Sequence, residues 1–268
     1  MQKKAFKLGI IGYGNMSGAI CRGILKSGML RPEDIIVFDK SELSLKRATT
    51  NGLGVAKDNS DIAERAEYLM LAVKPQSAEE VFPDLYGKNN IIISIMAGIE
   101  REYIRERTGS SVARAMPNIP VVAGCGVTAI DCNEMALRDR EFISNIFHCV
   151  GEVVETDEAS MHAVTAVSGS GPAYFFMFID AIARKGIELG LTAEISKKLA
   201  VQTALGAAAV AKDSELSLEE LTRQVCSPGG TTIEAVRIFE AQGLFELTNK
   251  AMQACYDRSK DLSELKLK

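Results

Sequence analysis

The stretch "GIIGYGNMSGAICRGI", residues 9 to 24, constrains the fold of this chain more than any other. It begins with apolar residues typical of a buried strand and continues, after its glycines, with an amphipathic helical pattern. Gly12, Gly14 and the small Ser17 fall on G-x-G-x-x-(G/A/S), the pattern of a strand-to-helix turn that binds a dinucleotide.

Each position of this motif has a separate steric role. Gly12 permits the tight turn, Gly14 lets a pyrophosphate approach the backbone, and Ser17 lets the helix pack closely on the sheet. The N–H groups of Asn15 and Met16 would face the anion. A plain glycine-rich turn with close packing is the alternative.

The first half of the chain alternates β-branched runs with helical periodicity. The runs "KLGIIG", "DIIVFD", "EYLMLAV" and "NIIISI" predict buried parallel strands, each followed by a helix. "SVARAMPNIP" and "CGVTAI" extend the series, and "GEVVET" ends the parallel sheet near residue 155. The pattern predicts an α/β fold with a doubly wound, Rossmann-like sheet over residues 1–156.

Helical signals replace the strands after residue 156. Residues 157–268 are therefore predicted to form an all-helical domain. Its first long segment, "SGSGPAYFFMFIDAIARKGIELGL", is apolar on nearly every face, and "AEISKKLAVQTALGAAAVAK" offers small residues for close helix packing. A small helical domain cannot bury both faces of this long apolar helix by itself. The sequence therefore predicts that the helix is buried against a second subunit.

Composition excludes several classes of protein. The 268 residues are 47% hydrophobic and 25% charged, as in ordinary globular proteins, and a net charge of −4 argues against a nucleic-acid partner. The six scattered cysteines show no zinc-site spacing and predict reduced thiols in the cytoplasm, with no metal. Asp180, Arg184 and Lys185 interrupt the most apolar helix, so no membrane span is expected.

The second strand should end at the adenosine ribose, and Asp39 lies there, further from Gly12 than the usual spacing of about 20 residues. Asp39 could accept a hydrogen bond from the 2′-hydroxyl of NADH. Lys40, Ser41, Lys46 and Arg47 could instead hold the 2′-phosphate of NADPH. A helix N-cap is the structural alternative for Asp39.

Other motifs fall at predicted strand ends or helix starts. "AVKPQ", "SIMAG" and "RAMPNIP" end strands, where ligands of open α/β sheets bind. Lys74 and Pro75 would line the nicotinamide side, although a proline-terminated strand with a solvated lysine is the alternative. "CSPGGTTIEAV" joins a turn to a helix start whose N–H groups suit a small carboxylate, and a simply capped helix is its alternative.

Six motifs occur together in order: "GIIGYGNM", "AVKP", "MAG", "RAMPNIP", "VSGSGPAYFFMFIDA" and "CSPGGTTIEAV". In them the chain resembles the pyrroline-5-carboxylate reductase family over nearly its whole length. Many dehydrogenases share the first motif, whereas the last two are specific. The resemblance implies NADPH- or NADH-dependent reduction of 1-pyrroline-5-carboxylate to L-proline, the last step of proline synthesis. It also implies a homodimer with interlocked helical domains, in many members assembled into a decamer.

The resemblance also assigns site residues. Cofactor contacts fall on Ile11, Gly12, Tyr13, Gly14, Asn15, Met16, Asp39, Asn59, Ala72, Val73, Lys74, Pro75, Ile95, Met96 and Ala97, and the reasoning about the 2′ position adds Lys40. Substrate contacts fall on Gln224, Ser227, Gly230, Thr231 and Thr232, with Glu215 contributed across the dimer. Asp39 departs from the small or phosphate-friendly residue of many members, which leaves the choice between NADH and NADPH open. Thr231 stands where some members have alanine.

Transfer of hydride to an imine carbon needs close, aligned placement more than a strong base. The N–H groups of Thr231 and Thr232 would hold the substrate carboxylate. The Thr232 hydroxyl, directly or through water, would hydrogen-bond the ring nitrogen and is the predicted catalytic group. His148 and His162 are expected to be structural, with His162 a less favoured alternative for a role in the site.

Two rival functions remain open at this stage. A reductase of the β-hydroxyacid type needs a catalytic lysine in the first long helix after the sheet, and Lys185 lies more than a turn too deep. A sensor or scaffold that binds NAD(P)H without turnover predicts a damaged substrate loop, whereas the loop here is intact.

Overall fold

The computed structural model describes residues 4–264, and the contacts of the chain divide it into two compact units. The first unit contains the residues up to Ser170 together with those from Cys255 onward. The second runs from Gly171 to Ala254.

An eight-stranded sheet forms the centre of the first unit. Its strands are β1 Phe6–Ile11, β2 Ile35–Phe38, β3 Gly54–Val55, β4 Ala66–Leu71, β5 Ile91–Ser94, β6 Ser111–Pro117, β7 Gly126–Asp131 and β8 Gly151–Glu155. They lie in the order β3, β2, β1, β4, β5, β6, β7, β8. The strand order reverses between β1 and β4, the place where ligands of doubly wound sheets bind. The predicted Rossmann-like fold is confirmed.

One pairing departs from the expected parallel sheet, because β6 and β7 run antiparallel and align Arg114 with Asp131. Their connection holds only a short 3-10 helix, Ile119–Ala123. A parallel crossover needs about a dozen residues or more, usually with a helix, so this short connection returns the chain in the opposite direction. β8 is again parallel to β7.

Helices cover both faces of the sheet. They are α1 Asn15–Ser27, α2 Glu42–Thr50, α3 Asn59–Arg65, α4 Ala78–Leu85, α5 Arg101–Thr108, α6 Leu137–His148 and α7 Met161–Val164. Side chains of β2 alternate between two buried clusters: Ile35 and Val37 pack in one, and Ile36 in the other. This alternation places a hydrophobic core on each face of the sheet.

Residues after β8 stay attached to the sheet unit. The buried Arg114 forms an ion pair with Glu158. The Asn118 side-chain amide donates to the carbonyl of Ser168 at 3.2 Å. These contacts explain why the chain divides at Ser170, whereas the sequence predicts domains of 1–156 and 157–268.

The second unit is helical. It contains α8 Gly171–Glu188, α9 Ala193–Asp213, α10 Leu218–Val225, α11 Thr231–Ala241 and most of α12 Leu244–Glu264. Gly186 of α8 packs so closely on α9 that a Cβ there would lie 2.1 Å from Oγ of Ser196. Ser196 Oγ in turn donates to the carbonyl of Ala183 at 2.6 Å. Small residues therefore set the spacing of these two helices.

The apolar helix α8 is not covered by its own chain. Phe175, Phe176 and Met177 are 68%, 60% and 73% exposed. By length and composition alone, the stretch Glu158–Glu188 could also cross a membrane, and little of it is buried within the chain. A large uncovered apolar surface of this kind marks an interaction site.

The six cysteines are free thiols, and burial raises the pKa of Cys21 and Cys132. Within residues 4–264, no group of three or more His, Cys, Asp or Glu residues could hold a metal ion.

Candidate functional site

The glycine-rich turn lies at the carboxyl end of β1 and is tied to both neighbouring strands. The N–H of Gly12 donates to the carbonyl of Phe38 at 2.8 Å, and the N–H of Ala72 donates to the carbonyl of Ile11 at 2.9 Å. Gly12 has a φ of +91°, and a Cβ on it would lie 2.8 Å from the backbone of Ala72. Both the backbone angle and the close approach require glycine here.

Gly14 is different, because a Cβ on it would meet no atom within 4 Å. It is the N-cap residue of α1 and has no side chain to cap the first N–H groups of the helix. Those groups, on Asn15 and Met16, are therefore available to an anion. Ser17 is buried, and its hydroxyl donates to the carbonyl of Gly12 at 2.6 Å, which closes the turn.

Asp39 links the end of β2 to this turn. Its Oδ2 accepts from the N–H of Tyr13 at 2.6 Å, and its Oδ1 accepts from the N–H of Ser41 at 2.7 Å. The N-cap of α2 is Ser41, whose side chain accepts from the N–H of Ser44. The alternative interpretation of Asp39 as the helix cap is therefore wrong. Since each carboxylate oxygen has two lone pairs, Asp39 can still accept a ribose hydroxyl.

A cavity of about 290 Å³ lies beside the turn, between the ends of β1, β2 and β4. Its volume approaches the usual lower limit of small-molecule sites, about 300 Å³. Nine predicted cofactor residues line it: Ile11, Gly12, Gly14, Asp39, Lys40, Asn59, Ala72, Val73 and Lys74. Phe38, Ser77 and Val81 line it as well. Phe38 belongs to a strand that the sequence did predict, whereas no motif pointed to Ser77 or Val81.

The remaining predicted cofactor residues lie around the cavity rather than in its lining. Tyr13 and Met96 are each 2% exposed, and their side chains pack in the two hydrophobic cores, so only their backbones could meet a ligand. Pro75 begins a 3-10 helix after β4, and Ile95 and Ala97 follow β5.

Two polar contacts at the cavity link distant segments. Lys40 forms an ion pair with Glu80 of α4. The Asn59 amide donates to Oδ2 of Asp84 at 3.0 Å. Neither partner belongs to a motif, so sequence reasoning missed Glu80 and Asp84. The pairing matters because the Glu80 carboxylate offsets the positive charge that Lys40 presents to the cavity.

The helical unit carries the predicted substrate loop between α10 and α11. The N–H of Gly230 donates to the carbonyl of Ser227 at 2.9 Å, which closes the turn. Gly229 has a φ of +69°, and a Cβ on Gly230 would lie 2.3 Å from Oγ of Ser227. The turn therefore depends on both glycines.

Thr231 and Thr232 are the first two residues of α11, and its N-cap residue, Gly230, has no side chain to occupy their N–H groups. These donors fit a carboxylate. Gln224 lies in the last turn of α10, next to the loop, whereas Glu215 precedes the start of α10. The structure thus groups Gln224 with the loop and places Glu215 at the opposite end of the helix.

Side chains that a rival mechanism would use are engaged elsewhere. Lys185 is exposed and pairs with Glu188 at 2.8 Å. His148 Nδ1 lies 3.0 Å from the carbonyl of Ser144. His162 Nδ1 lies 2.9 Å from Oγ of Ser259, and its ring meets Tyr256 edge-on. Burial and the charge of Arg114 lower the pKa of His162.

Comparison with known families divides the chain in two. Residues 158–262 match a family model described as pyrroline-5-carboxylate reductase dimerisation. Residues 7–98 match a model described as coenzyme F420-dependent NADP oxidoreductase. The first match begins next to the predicted domain boundary.

Individual relatives match over nearly their full length. A pyrroline-5-carboxylate reductase of Synechocystis is 40% identical, and the match covers 97% of this chain and 99% of the relative. A structure of the reductase from Coxiella burnetii has a TM-score of 0.88 at 33% identity, with 97% and 99% of the two chains covered. A Plasmodium falciparum pyrroline carboxylate reductase, solved with NADP bound, has a TM-score of 0.87 at 27% identity. The match covers 97% of this chain and 100% of that one.

Proposed function

Because this chain belongs to the pyrroline-5-carboxylate reductase family, we propose that it reduces 1-pyrroline-5-carboxylate to L-proline with NADPH or NADH. This reaction would be the last step of proline synthesis. The observation that carries the proposal is the cavity at the reversal of strand order, whose lining contains nine of the predicted cofactor residues. The intact Ser227–Thr232 turn supports it further, because it offers free N–H groups to a carboxylate.

The sheet unit fits a dinucleotide. The open space at Gly14 and the uncapped N–H groups of Asn15 and Met16 suit a pyrophosphate. The Asp39 carboxylate accepts from the N–H of Tyr13 and has further lone pairs, which suit a ribose hydroxyl. Lys74 follows β4 and lines the cavity, and it would lie on the nicotinamide side of the bound cofactor. When bound, the reduced nicotinamide supplies the hydride.

The helical unit supplies the groups that would hold the substrate. The N–H groups of Thr231 and Thr232 orient its carboxylate, and Ser227, Gly230 and Gln224 shape the loop around it. The Thr232 hydroxyl hydrogen-bonds the ring nitrogen, which becomes a more basic amine as hydride reaches the imine carbon. That nitrogen then takes its proton from the hydroxyl, which water reprotonates in the same step, or from water directly.

We propose that a second copy of the chain covers the apolar face of α8. The exposed Phe175, Phe176 and Met177 require a cover in water, and the matched dimerisation model spans this helix. We therefore propose a homodimer, in which Glu215 reaches the partner's substrate loop, and its further assembly into a decamer. With its apolar helix covered in this way, the enzyme would work in the cytoplasm with reduced thiols.

Steady-state kinetics with 1-pyrroline-5-carboxylate test this function. We expect oxidation of NADPH or NADH that depends on the substrate, with one L-proline formed for each cofactor consumed. A protein that binds the cofactor but consumes none in the presence of substrate would be a sensor or scaffold, and the proposed function would be wrong.

A further inference from the structure

The carboxyl end of β6 packs against the segment that follows β8. Met116 and Asn118 are two residues apart on extended backbone, so their side chains point to the same face of the sheet. A Cβ on Gly169 would lie 2.8 Å from Cε of Met116. The Asn118 amide donates to the carbonyl of Ser168 at 3.2 Å. These two contacts hold residues 168 and 169 against the end of the strand.

The side chain of Asn118 is held at both ends of its amide. Only 8% of the residue is exposed. Its Oδ1 accepts from the N–H of Val127 in β7 at 3.0 Å, while its Nδ2 donates to Ser168. Burial of a polar group costs free energy unless the group is hydrogen-bonded, and these two bonds meet that cost. Asn118 therefore has a fixed position between β7 and the segment after β8.

The backbone that Asn118 holds is a π-helical turn, Thr165–Gly169, between α7 and α8. The N–H of Ser170 donates to the carbonyl of Thr165, five residues back, at 2.8 Å. Turns of this width interrupt the regular pattern of an α-helix, are rare, and occur frequently at functional sites. The bond from Asn118 to Ser168 ties this irregular turn to the sheet.

The sheet brings Asn118 to the edge at which the cofactor would bind. Strands β2, β1, β4, β5 and β6 are neighbours in that order and run parallel, so their carboxyl ends meet at one edge. The predicted cofactor contacts proceed along this edge from Asp39 after β2 to Lys74 after β4 and Ile95 after β5. Because Asp39 would bind the adenosine ribose, the nicotinamide end would point towards β5 and β6.

From this placement we propose that Asn118 is a positioning residue for the reduction, because it holds the turn Thr165–Gly169 as a wall at the nicotinamide end of the cofactor site. The inference rests on the proposed function. Asn118 acts through the backbone at Ser168 and takes no part in the transfer of hydride or proton. Since hydride transfer needs close, aligned placement, displacement of the wall lowers kcat and leaves the binding of the adenosine half of the cofactor unchanged.

Asn118→Asp tests this role, because an ionised carboxylate keeps the acceptor for Val127 but loses the donor to Ser168. A carboxyl group that is buried beside a carbonyl has a raised pKa, so the variant is compared with wild type at pH 9 and at pH 6. Asn133→Asp is the matched control. The Asn133 amide also donates to a carbonyl after β8, that of Thr156 at 3.1 Å, but it lies beyond the other end of β7.

At pH 9 we expect the kcat of Asn118→Asp to be roughly ten- to a hundredfold below that of wild type. It should recover towards pH 6, where the protonated carboxyl donates to Ser168 again. Titration calorimetry, which needs no turnover, should show weaker binding of NADH but unchanged binding of ADP-ribose, which lacks the nicotinamide. Asn133→Asp should match wild type in all of these measurements, and melting temperatures show whether each variant folds.

Wild-type kcat and wild-type NADH affinity in folded Asn118→Asp at pH 9 would overturn the proposal. An equal loss of NADH and ADP-ribose binding would also overturn it, because the role of Asn118 would then be structural only. If the charged variant does not fold, Asn118→Ala removes the amide without burying a charge and should show the same difference between the two ligands.

Failure of the proposed function gives a different result. If wild type reduces no 1-pyrroline-5-carboxylate, the titrations with NADH and ADP-ribose still decide whether Asn118 acts at the nicotinamide end.

Discussion

The backbone N–H of Tyr13 donates a hydrogen bond of 2.6 Å to Oδ2 of Asp39, so the end of the second strand holds the glycine-rich turn in place. The carbonyl of the same Tyr13 accepts from Arg47. An acid and a base, Asp39 after β2 and Arg47 of α2, thus fix one peptide segment of the glycine-rich turn beside the proposed cofactor cavity.

Replacing Asp39 should change cofactor preference. In Asp39→Ser the negative charge near the 2′ position is lost, so the ratio of kcat/KM for NADPH to that for NADH should rise. The variant should also be less stable by about 1–3 kcal/mol, because two backbone N–H groups lose their acceptor. Asp39→Asn keeps a side-chain acceptor without the charge and serves as the control. A ratio that moves in neither variant would leave Asp39 with a purely structural role.

Substitutions at the two glycines of the turn should have different effects, one on cofactor binding and the other on stability. In Gly14→Val the new side chain has room in the protein but fills the path of the pyrophosphate, so KM for the cofactor should rise while the melting temperature is kept. In Gly12→Ala the positive φ and the contact with Ala72 should lower the melting temperature itself. An unchanged cofactor KM in Gly14→Val would contradict the proposed position of the pyrophosphate.

These glycines show how far the sequence determines the site. Strand runs such as "DIIVFD" and the motif around Gly12 predict the sheet and its ligand-binding edge, because a buried apolar run and the steric demands of a tight turn are both visible in consecutive residues. The sequence does not predict the antiparallel pairing of β6 with β7, because strand direction depends on the length of the connection and not on the apolar pattern. The sequence also does not predict the ion pair between Lys40 and Glu80, because the two residues are far apart in the chain and only the fold brings them together.

Thr232 should matter to chemistry more than to folding. Thr232→Ala should lower kcat roughly tenfold, which corresponds to about 1–2 kcal/mol for one hydrogen bond that strengthens in the transition state. The melting temperature should hold, since alanine is tolerated in the first turn of α11. Thr231→Ala, which keeps both backbone N–H groups, is the matched control and should retain kcat. Full activity of Thr232→Ala would make water the proton donor, and a collapsed melting temperature would make the residue structural.

The apolar face of α8 should hold the subunits together. Phe175→Glu places a charge on a side chain that is 68% exposed in the single chain, so the chain should still fold its sheet unit but lose association. Sedimentation at low micromolar concentration should show an oligomer for wild type and for the surface control Lys26→Glu, and a smaller species for Phe175→Glu. A stable wild-type monomer under these conditions would contradict the proposed dimer.

Stability should fall in mild acid through His162. Its pKa in the folded protein is lowered, chiefly by burial and then by Arg114 and Lys260, although Glu100 opposes this. The unfolded chain therefore binds the proton first, and stability decreases as the pH falls below about 6.5. Urea unfolding at several pH values should show a smaller acid loss in His162→Gln than in wild type. An identical pH dependence in the two proteins would assign the loss to other groups.

Transfer of labelled hydride tests the central claim most directly. The enzyme is given 1-pyrroline-5-carboxylate and a reduced nicotinamide cofactor that carries deuterium at its transferable position, and the product is examined by mass spectrometry. We expect L-proline with one deuterium on the former imine carbon, formed in step with cofactor oxidation. Proline without deuterium, or no proline while the cofactor remains reduced, would contradict the account.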